Sequence, residues 1–298
     1  MIYNVKTIEF PDSLQVRVYA KPVRVSSHIQ SRRLDNNAED IFPICPETEK
    51  AEGQSGHSLQ CSLNRTVNSI YAISRSNKWG WFVTLTINPK RLDSTDYIRI
   101  LDKLGIWLNN IRKRYAPDLR YLFVPELHKD GKKYHFHGLI ADVGNLPFEF
   151  SNKVSVGKYI FDYARKPYGT KIYNLPLWKW GYSTATAIHD PPRAGSYICK
   201  YITKELTHSL KNQRRFIYSQ NLDMPVERVY NCDYDILSDI MKRYIGFVDY
   251  AKTVKVAEAG QEITYMEFNK NDKTTVFESI AGTEKFPERT SRATQSLQ

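Results

Sequence analysis

The protein has 298 residues, of which 41% are hydrophobic and 25% charged, the composition of an ordinary globular protein. Its formal net charge of +11 favours a polyanionic partner, nucleic acid before an anionic membrane. The four cysteines show no CxxC spacing, which argues against a structural zinc site and a disulfide framework. No apolar run approaches membrane-spanning length and the N-terminus lacks a signal-peptide layout, so we expect a soluble, cytoplasmic protein.

The basic excess is concentrated in the middle of the chain. Residues 76–220 contain 24 Lys and Arg against 11 Asp and Glu, a net charge of +13. The remaining residues contain 19 and 21 of these, a net charge of −2. A solvated basic face would give the same count, so the charge alone does not establish a nucleic-acid surface.

The N-terminal quarter of the chain changes character once. The first 25 residues alternate between apolar and polar side chains, as in "SLQVRVYAKPVRV", which predicts a short strand or hairpin. Residues 26–68 are polar and without periodicity, and we interpret them as a loop-rich or partly disordered link.

A regular pattern begins at Trp81. Four elements are predicted in chain order: a strand over 81–87, a helix over 98–115, a strand over 120–127 and a strand over 133–141. Asp93 or Ser94 is predicted to cap the helix, and Pro117 follows its end. The last two strands are joined by "KDGK", in which Asp-Gly favours a tight hairpin turn.

The pattern is harder to interpret further along the chain. Residues 143–180 are ambiguous, with scattered aromatics, glycines and prolines. A fourth strand is then predicted over 181–188, a helix that opens near Gly195 or Ser196, and a fifth strand over 214–219.

This order of elements predicts an α+β fold in which helices pack on a central antiparallel five-stranded sheet. We expect three regions: a partly irregular N-terminal extension over 1–75, a central domain over 76–225, and a C-terminal extension over 226–298 that ends in a disordered tail.

Two histidines and a glutamate are predicted to share one face of the hairpin that ends in "YHFHG". If the Asp-Gly pair forms the turn, Glu126 lies opposite His135 and Val124 lies opposite His137. Two imidazoles and one carboxylate make a divalent-metal site, for which we expect Mg²⁺ or Mn²⁺. Two surface histidines on a half-exposed strand are the alternative, and a register slip of one residue would separate the three side chains.

The segment "GSYICKYITKE" contains two overlapping Tyr-x-x-Lys units, Tyr197 with Lys200 and Tyr201 with Lys204. On a helix these four positions share one face, and Ile198 lies on the opposite side, where it can be buried. A tyrosine hydroxyl can attack a DNA phosphodiester, although its pKa of about 10 makes it a weak nucleophile at neutral pH. A nearby lysine and a metal on the sheet would supply the missing positive charge. An ordinary polar surface stripe is the alternative interpretation.

Three motifs in chain order resemble those of the HUH endonucleases, in particular the rolling-circle replication initiators of single-stranded DNA phages and plasmids. "FVTLT" (82–86) is similar to the first motif, "HFHGL" (135–139) to the metal-binding His-hydrophobic-His motif, and "YICKYITK" (197–204) to the nucleophile motif. Glu126 stands where the family often adds an acidic ligand, and the doubled tyrosine resembles the replication proteins of microviruses. The tyrosine motif follows the histidine motif, as in replication initiators and small single-strand transposases and unlike conjugative relaxases.

The resemblance implies a ferredoxin-like or RRM-like sheet with flanking helices and places the endonuclease domain at residues 76–225. It implies an enzyme that nicks single-stranded origin DNA, keeps the 5′ phosphate on a tyrosine, leaves a free 3′-OH and later rejoins the strands. The sequence contains no GxxxxGK[ST] loop for helicase activity. A host helicase and a host DNA polymerase are therefore expected partners, beside the origin DNA.

The resemblance also implies roles for individual residues. His135, His137 and Glu126 would bind Mg²⁺ or Mn²⁺. Tyr201 with Lys204 is the preferred catalytic pair, since the lysine follows the tyrosine with the family spacing. Tyr197 with Lys200 fits the same spacing equally well.

Other functions fit part of the sequence. A single-strand transposase or mobilisation enzyme would use the same chemistry on the ends of a mobile element. A non-catalytic module for single-stranded nucleic acid would stack bases on its aromatic residues, which are 13% of the chain, without cutting. A metal-dependent phosphate hydrolase would need the histidines but not the tyrosines. A covalent protein–DNA adduct separates the first of these from the other two.

Overall fold

The computed structural model of the protein describes residues 2–24, 55–128, 130–189, 195, 197–199, 201, 214–235, 237–238, 242, 247–256 and 260–269. The chain divides into two compact units, one made of Met1–Gln54 with Met224–Gln298 and the other of Ser55–Asp223. In chain order the described helices and strands are β1 (Ile2–Glu9), β2 (Ser13–Arg24), α1 (Ser55–Ser76), β3 (Trp81–Thr86), α2 (Tyr97–Arg114), β4 (Arg120–Leu127), β5 (Tyr134–Ala141), β6 (Glu149–Val156), β7 (Tyr159–Asp162), β8 (Thr170–Asn174), β9 (Ser183–Ala187), β10 (Ile217–Tyr218), β11 (Val226–Tyr230), β12 (Val248–Val256) and β13 (Gln261–Asn269).

Both ends of the chain contribute strands to one antiparallel sheet in the first unit, in the order β11-β1-β2-β13-β12. The predicted N-terminal hairpin is confirmed, since β1 pairs with β2 and Thr7 lies opposite Val16. The stretch beyond residue 225, which the sequence left without assigned elements, supplies the other three strands. Val5, Val16 and Phe268 are buried in the core of this unit. The N-terminal and C-terminal segments therefore build one sheet together.

The second unit contains an eight-stranded antiparallel sheet in the order β10-β4-β5-β3-β9-β8-β6-β7. All five strands predicted for the central region are present and adjacent, as β10-β4-β5-β3-β9. The α+β class is confirmed. In the described part of the chain, however, the sheet has eight strands instead of the predicted five.

The three additional strands come from residues 143–180, which the sequence left ambiguous. A bulge between Phe150 and Lys153 shifts the register of β6 against β8, and Asn152 within it has a positive φ of 57°. A bulge interrupts the strict alternation of side chains by which a strand is identified in a sequence. The interruption explains why this stretch has no clear strand pattern.

Helix α2 buries the apolar stripe that its spacing predicts. Ile100, Leu104 and Ile111 of this helix belong to the same core as Leu85 of β3 and Phe136 of β5. Alternate residues of β3 and β5 therefore face α2, and the residues between them face the other side of the sheet.

The N-cap of α2 is Asp96, so the predicted cap at Asp93 or Ser94 is wrong. The Asp96 carboxylate accepts a hydrogen bond from the backbone N–H of Arg99 at 3.0 Å, the contact typical of an N-cap. Asp93 instead accepts a hydrogen bond from the backbone N–H of Thr95 at 2.9 Å. The stretch "DSTD" offers several capping side chains, and only the three-dimensional path of the chain selects one.

Helix α1 corrects the prediction of an irregular link over residues 26–68. Residues 25–54 lie outside the described part of the chain, but Ser55–Ser76 form a helix of 22 residues. Ile70 and Ile73 of this helix are buried. The second unit thus begins at Ser55, before the predicted start of the central domain at residue 76. Among the described residues, no helix is both long and apolar enough to cross a membrane.

Gly138→Ala should lower the midpoint of thermal unfolding, because a Cβ at Gly138 would overlap the ring of Phe123. Overpacking a buried site costs about 1–3 kcal/mol. Gly105→Ala in α2 is the matched control, since its new Cβ would meet no atom within 4 Å. Alanine is about 1 kcal/mol more favourable than glycine inside a helix. Circular dichroism melts should therefore shift in opposite directions, and equal midpoints would contradict the packing of Gly138 against Phe123.

Candidate functional site

The hairpin of β4 and β5 has the register that the sequence predicts. Glu126 pairs with His135 and Val124 pairs with His137. Gly131 adopts a positive φ of 67° in the turn between the strands, a conformation that glycine takes without strain. Cross-strand partners point to the same face of a sheet, and so do residues two apart. Glu126, His135 and His137 therefore project from one face.

The polar atoms of these three side chains form a compact triangle. Glu126 Oε2 lies 2.8 Å from His135 Nε2 and 2.7 Å from His137 Nε2. The two imidazole nitrogens are 2.9 Å apart. The side chains of His135 and His137 are only 12% and 9% exposed, and that of Glu126 is 23% exposed. The cluster is therefore largely shielded from bulk water.

The geometry of the cluster fits a divalent cation. Two ligand atoms at right angles, each about 2.1 Å from a metal, are themselves about 3 Å apart, which is close to the separations in the triangle. Two imidazoles and one carboxylate form a donor set that binds divalent metals and leaves coordination positions open for other ligands. The Glu126, His135 and His137 cluster could therefore hold a metal ion. The choice of Mg²⁺ or Mn²⁺ stays a prediction.

The protonation states of the cluster also suit a cation. Burial acts to raise the pKa of Glu126, but hydrogen bonds from His135 and His137 outweigh it and lower that pKa to about 2. Burial lowers the pKa of His137, against the opposing effect of Glu126. At neutral pH Glu126 is thus ionised and His137 is neutral, and these are the forms that bind metals.

Thr84 of β3 contacts the histidine cluster, although the sequence analysis did not single it out. β3 pairs with β5 so that Thr84 lies opposite His137, with the hydroxyl oxygen 3.1 Å from His137 Nδ1. When Nε2 of a histidine faces a metal, Nδ1 carries the proton and donates it to a partner that fixes the ring. Thr84 can be that acceptor. "FVTLT" contains this threonine, but its contact depends on a pairing between distant strands.

The two tyrosines of the second motif lie beside the cluster. The Tyr201 ring stacks on the His137 ring, with the centroids 3.6 Å apart and the planes 19° apart. The Tyr197 ring contacts Tyr201 at 5.3 Å and is 45% exposed. Phe82 of β3 contacts both tyrosines, at 5.0 Å for Tyr197 and 5.9 Å for Tyr201. Phe82 is a second residue of "FVTLT" whose contact sequence reasoning missed.

Helix α1 contacts the tyrosine segment, defined as residues 195–201, of which 195, 197–199 and 201 are described. A Cβ at Gly195 would overlap the Ser74 hydroxyl, so glycine is what allows this close approach to α1. The Cys199 thiol lies 3.6 Å from the Val67 carbonyl oxygen of the same helix. A helix that the sequence did not predict therefore supports the predicted nucleophile segment.

Five of the predicted site residues are described, and the structure brings all five together: Glu126, His135, His137, Tyr197 and Tyr201. The predicted burial of Ile198 is confirmed, since that side chain is fully enclosed. Lys200 and Lys204 lie outside the described residues. The chemical roles of the tyrosines and lysines stay predictions.

The surroundings of Tyr201 oppose the ionisation of its hydroxyl. Burial, a hydrogen bond with Tyr197 and the acidic groups of Tyr197 and Glu126 all raise the pKa of Tyr201 above its usual value. A tyrosine in this setting needs a nearby positive charge or a proton acceptor before it can act as a nucleophile.

The fold and the cluster together define an α+β protein with a candidate divalent-metal site beside two tyrosines. Residues 80–206 match the family model of the replication-associated protein ORF2. This segment contains the histidines, Glu126 and both tyrosines. The match supports a replication initiator of the Rep type and implies interaction with DNA at a replication origin. Comparisons with curated proteins and with solved structures gave no match.

Glu126→Gln should weaken Mn²⁺ binding about a hundredfold, because the amide lacks the negative charge of the carboxylate ligand. Isothermal titration calorimetry at neutral pH measures the affinity. Glu149→Gln is the matched control, since it removes an exposed carboxylate on β6. If Glu126→Gln binds Mn²⁺ as tightly as the unchanged protein, the cluster is not the metal site.

Thr84→Val should weaken Mn²⁺ binding about tenfold, the lower end of the range for loss of a hydrogen bond to a metal-bound histidine. Valine keeps the shape of the side chain but cannot accept the proton of His137 Nδ1. Thr184→Val on β9, directly opposite Thr84 and exposed, is the control that should leave the affinity unchanged. Equal affinities of the two variants would mean that Thr84 does not orient His137.

Proposed function

We propose that the protein is an HUH-type replication initiator endonuclease that nicks single-stranded origin DNA with a tyrosine. The observation that carries the proposal is the contact of the Tyr201 ring with His137 of the cluster. A nucleophile beside a divalent cation is the arrangement that phosphodiester transfer requires. The match to the replication-associated protein family over the same residues supports the role in replication initiation.

The proposed reaction exchanges one phosphodiester for another. The tyrosine hydroxyl gives up its proton, and its oxygen attacks the phosphorus of the scissile phosphate. The bond from phosphorus to the 3′ oxygen breaks, and this oxygen takes up a proton to become a free 3′-OH. The 5′ phosphate remains on the tyrosine, and a later attack by a 3′-OH rejoins the strands and frees the hydroxyl.

Glu126, His135 and His137 would hold Mg²⁺ or Mn²⁺, with the two imidazoles favouring Mn²⁺. A divalent cation at this place supplies positive charge to the oxygens of the scissile phosphate as a Lewis acid. Thr84 would keep the His137 ring in its ligand orientation through Nδ1.

We assign the first cut to Tyr201 and the transfer step to Tyr197. Tyr201 contacts His137 directly, whereas the described ring contacts of Tyr197 are with Tyr201 and Phe82. One tyrosine could then hold a 5′ end while the other cuts. Lys204 and Lys200, three residues after each tyrosine, would supply positive charge against the raised pKa of the tyrosine hydroxyl.

The substrate in this proposal is the single-stranded DNA of a replication origin, and a host helicase and a host DNA polymerase would complete replication. A transposase or mobilisation enzyme with the same chemistry would recognise the end of a mobile element instead. The two functions differ in the DNA that is cut, and the match to the replication-associated protein family favours the origin.

The wild-type protein should form a covalent adduct with origin-region single-stranded oligonucleotides in Mn²⁺ or Mg²⁺, and Tyr201→Phe should reduce the adduct at least about a hundredfold, because phenylalanine has no nucleophilic oxygen. A 3′-labelled strand should move to the size of the protein on a denaturing gel. A 5′-labelled strand should become a shorter fragment that a polymerase can extend. Chelation of the metal should abolish both products.

Tyr182→Phe is the control for this experiment, because Tyr182 is 79% exposed and lies outside the cluster. Loss of the adduct in Tyr197→Phe but not in Tyr201→Phe would reverse the order of the tyrosines. An adduct that survives in the double variant would rule out both tyrosines as nucleophiles. Tight binding without any adduct, across several oligonucleotides and both metals, would favour the non-catalytic binding module.

A further inference from the structure

Strands β6, β7 and β8 form a ribbon at one edge of the eight-stranded sheet, and no step of the proposed reaction uses them. Residues 149–174, which include the ribbon, contain five Lys and Arg, two Asp and Glu and six aromatic residues. The ribbon is thus both basic and rich in rings, a composition that its role in the sheet does not require.

One face of the ribbon carries rings and ammonium groups in direct contact. We call it the aromatic–lysine face, and it consists of Phe150, Phe161, Tyr163, Lys166, Tyr168 and Lys171. The Lys166 ammonium lies 4.3 Å from the ring centroid of Phe161 and 5.0 Å from that of Tyr168. The Lys171 ammonium lies 5.7 Å from the Phe150 centroid and 5.6 Å from the Tyr163 centroid.

The rings of this region extend into solvent. Tyr168 is 62% exposed, and Tyr159 at the end of the ribbon is 60% exposed with Lys158 5.3 Å from its ring centroid. A large side chain that is mostly exposed gains little from folding, and clusters of such side chains mark interaction sites. The exposed rings therefore point to a partner rather than to the stability of the sheet.

The chemistry of the face selects a single-stranded nucleic acid. Its positive charge attracts a polyanion and repels the same face of a second copy of this chain. Aromatic rings bind single strands by stacking with unpaired bases, while neighbouring cations contact the phosphates. The bases of a duplex are already stacked on each other and offer no free ring faces.

The position of the face separates it from the candidate metal site. Thr186 pairs with both Phe82 and Ile172, so Ile172 shares the side of the sheet that carries the cluster. Its neighbour Lys171 points to the other side. Four strand spacings of about 4.8 Å separate β6 from β5, which is roughly 20 Å.

We propose that the aromatic–lysine face binds single-stranded DNA as a second contact, at nucleotides that flank the phosphate held at the metal cluster. The choice of DNA as the strand rests on the proposed function, whereas the stacking surface rests on the ribbon alone. Binding there would increase the affinity for long single strands and would not depend on a metal.

Fluorescence anisotropy with the full chain, in the presence of a chelator that prevents cleavage, tests this inference. The probe is an oligo-dT strand of about 30 nucleotides, longer than one stacking platform covers. Tyr159→Ala with Tyr168→Ala should weaken binding about tenfold or more, since each base–ring stack is worth at least several-fold in affinity. Ile160→Ala is the matched control, because Ile160 is equally exposed at 62% and lies on the opposite face of β7.

A second pair of variants reports on the cations. Lys166→Gln with Lys171→Gln should reduce the slope of log affinity against log salt by about 1.4, because each phosphate contact on a single strand contributes about 0.7. Circular dichroism melts of all variants identify any that fail to fold. The lysine pair keeps the test informative if the tyrosine pair is unstable.

Three results would overturn the inference: wild-type affinity in the tyrosine pair, an equal loss in Ile160→Ala, or an equal loss for a duplex of the same length. Failure of the wild-type protein to bind the probe at all would overturn it as well. The outcome is separable from that of the proposed function, because adduct formation by the wild-type protein is scored in the presence of metal. Ring-dependent binding without an adduct would uphold the surface and remove the nuclease.

Discussion

The candidate site depends on the antiparallel register of β4 and β5. This register places Glu126 opposite His135 and leaves His137 on the same face. The opposite face holds the register in place, since Phe136 lies fully buried between the two histidine positions in the core that α2 covers. A slip of one residue would expose Phe136 and bury the imidazoles among apolar side chains, and both changes are unfavourable. Core packing on one face thus fixes the polar constellation on the other.

The electrostatics of the site have two effects that a divalent cation would reconcile. The cluster gathers one ionised carboxylate and two imidazoles into a shielded triangle, which favours a positive ion at its centre. The same negative charge, together with burial, raises the pKa of Tyr201 and so opposes the ionisation that a nucleophile needs. A cation bound to the cluster would offset the negative charge of Glu126 and favour the phenolate next to it. Metal binding and activation of the tyrosine are therefore expected to be coupled.

The second unit separates the proposed functions over its sheet. The strands β3, β4 and β5 carry the metal ligands and Thr84, and α1 contacts the segment that presents the tyrosines. The ribbon of β6, β7 and β8 lies further along the sheet and carries the aromatic–lysine face. A strand of DNA bound to both regions would be held at the cleaved phosphate and at flanking nucleotides, so that affinity and chemistry would depend on different residues.

The sequence by itself determined the features that depend on local pattern. Alternation and turn chemistry identified the five adjacent strands of the larger sheet and the triangle of Glu126, His135 and His137, because a hairpin of known turn fixes its own register. Helical spacing identified α2, and the tyrosines were found from their motif. The tertiary structure alone decided the contacts between distant segments: Thr84 against His137, Phe82 and Tyr201 beside the cluster, and α1 against Gly195. These contacts leave no periodic signal because they depend on which strands become neighbours. The bulge at Asn152 and the pairing of both chain ends also interrupt or exceed the range over which side-chain alternation can be read.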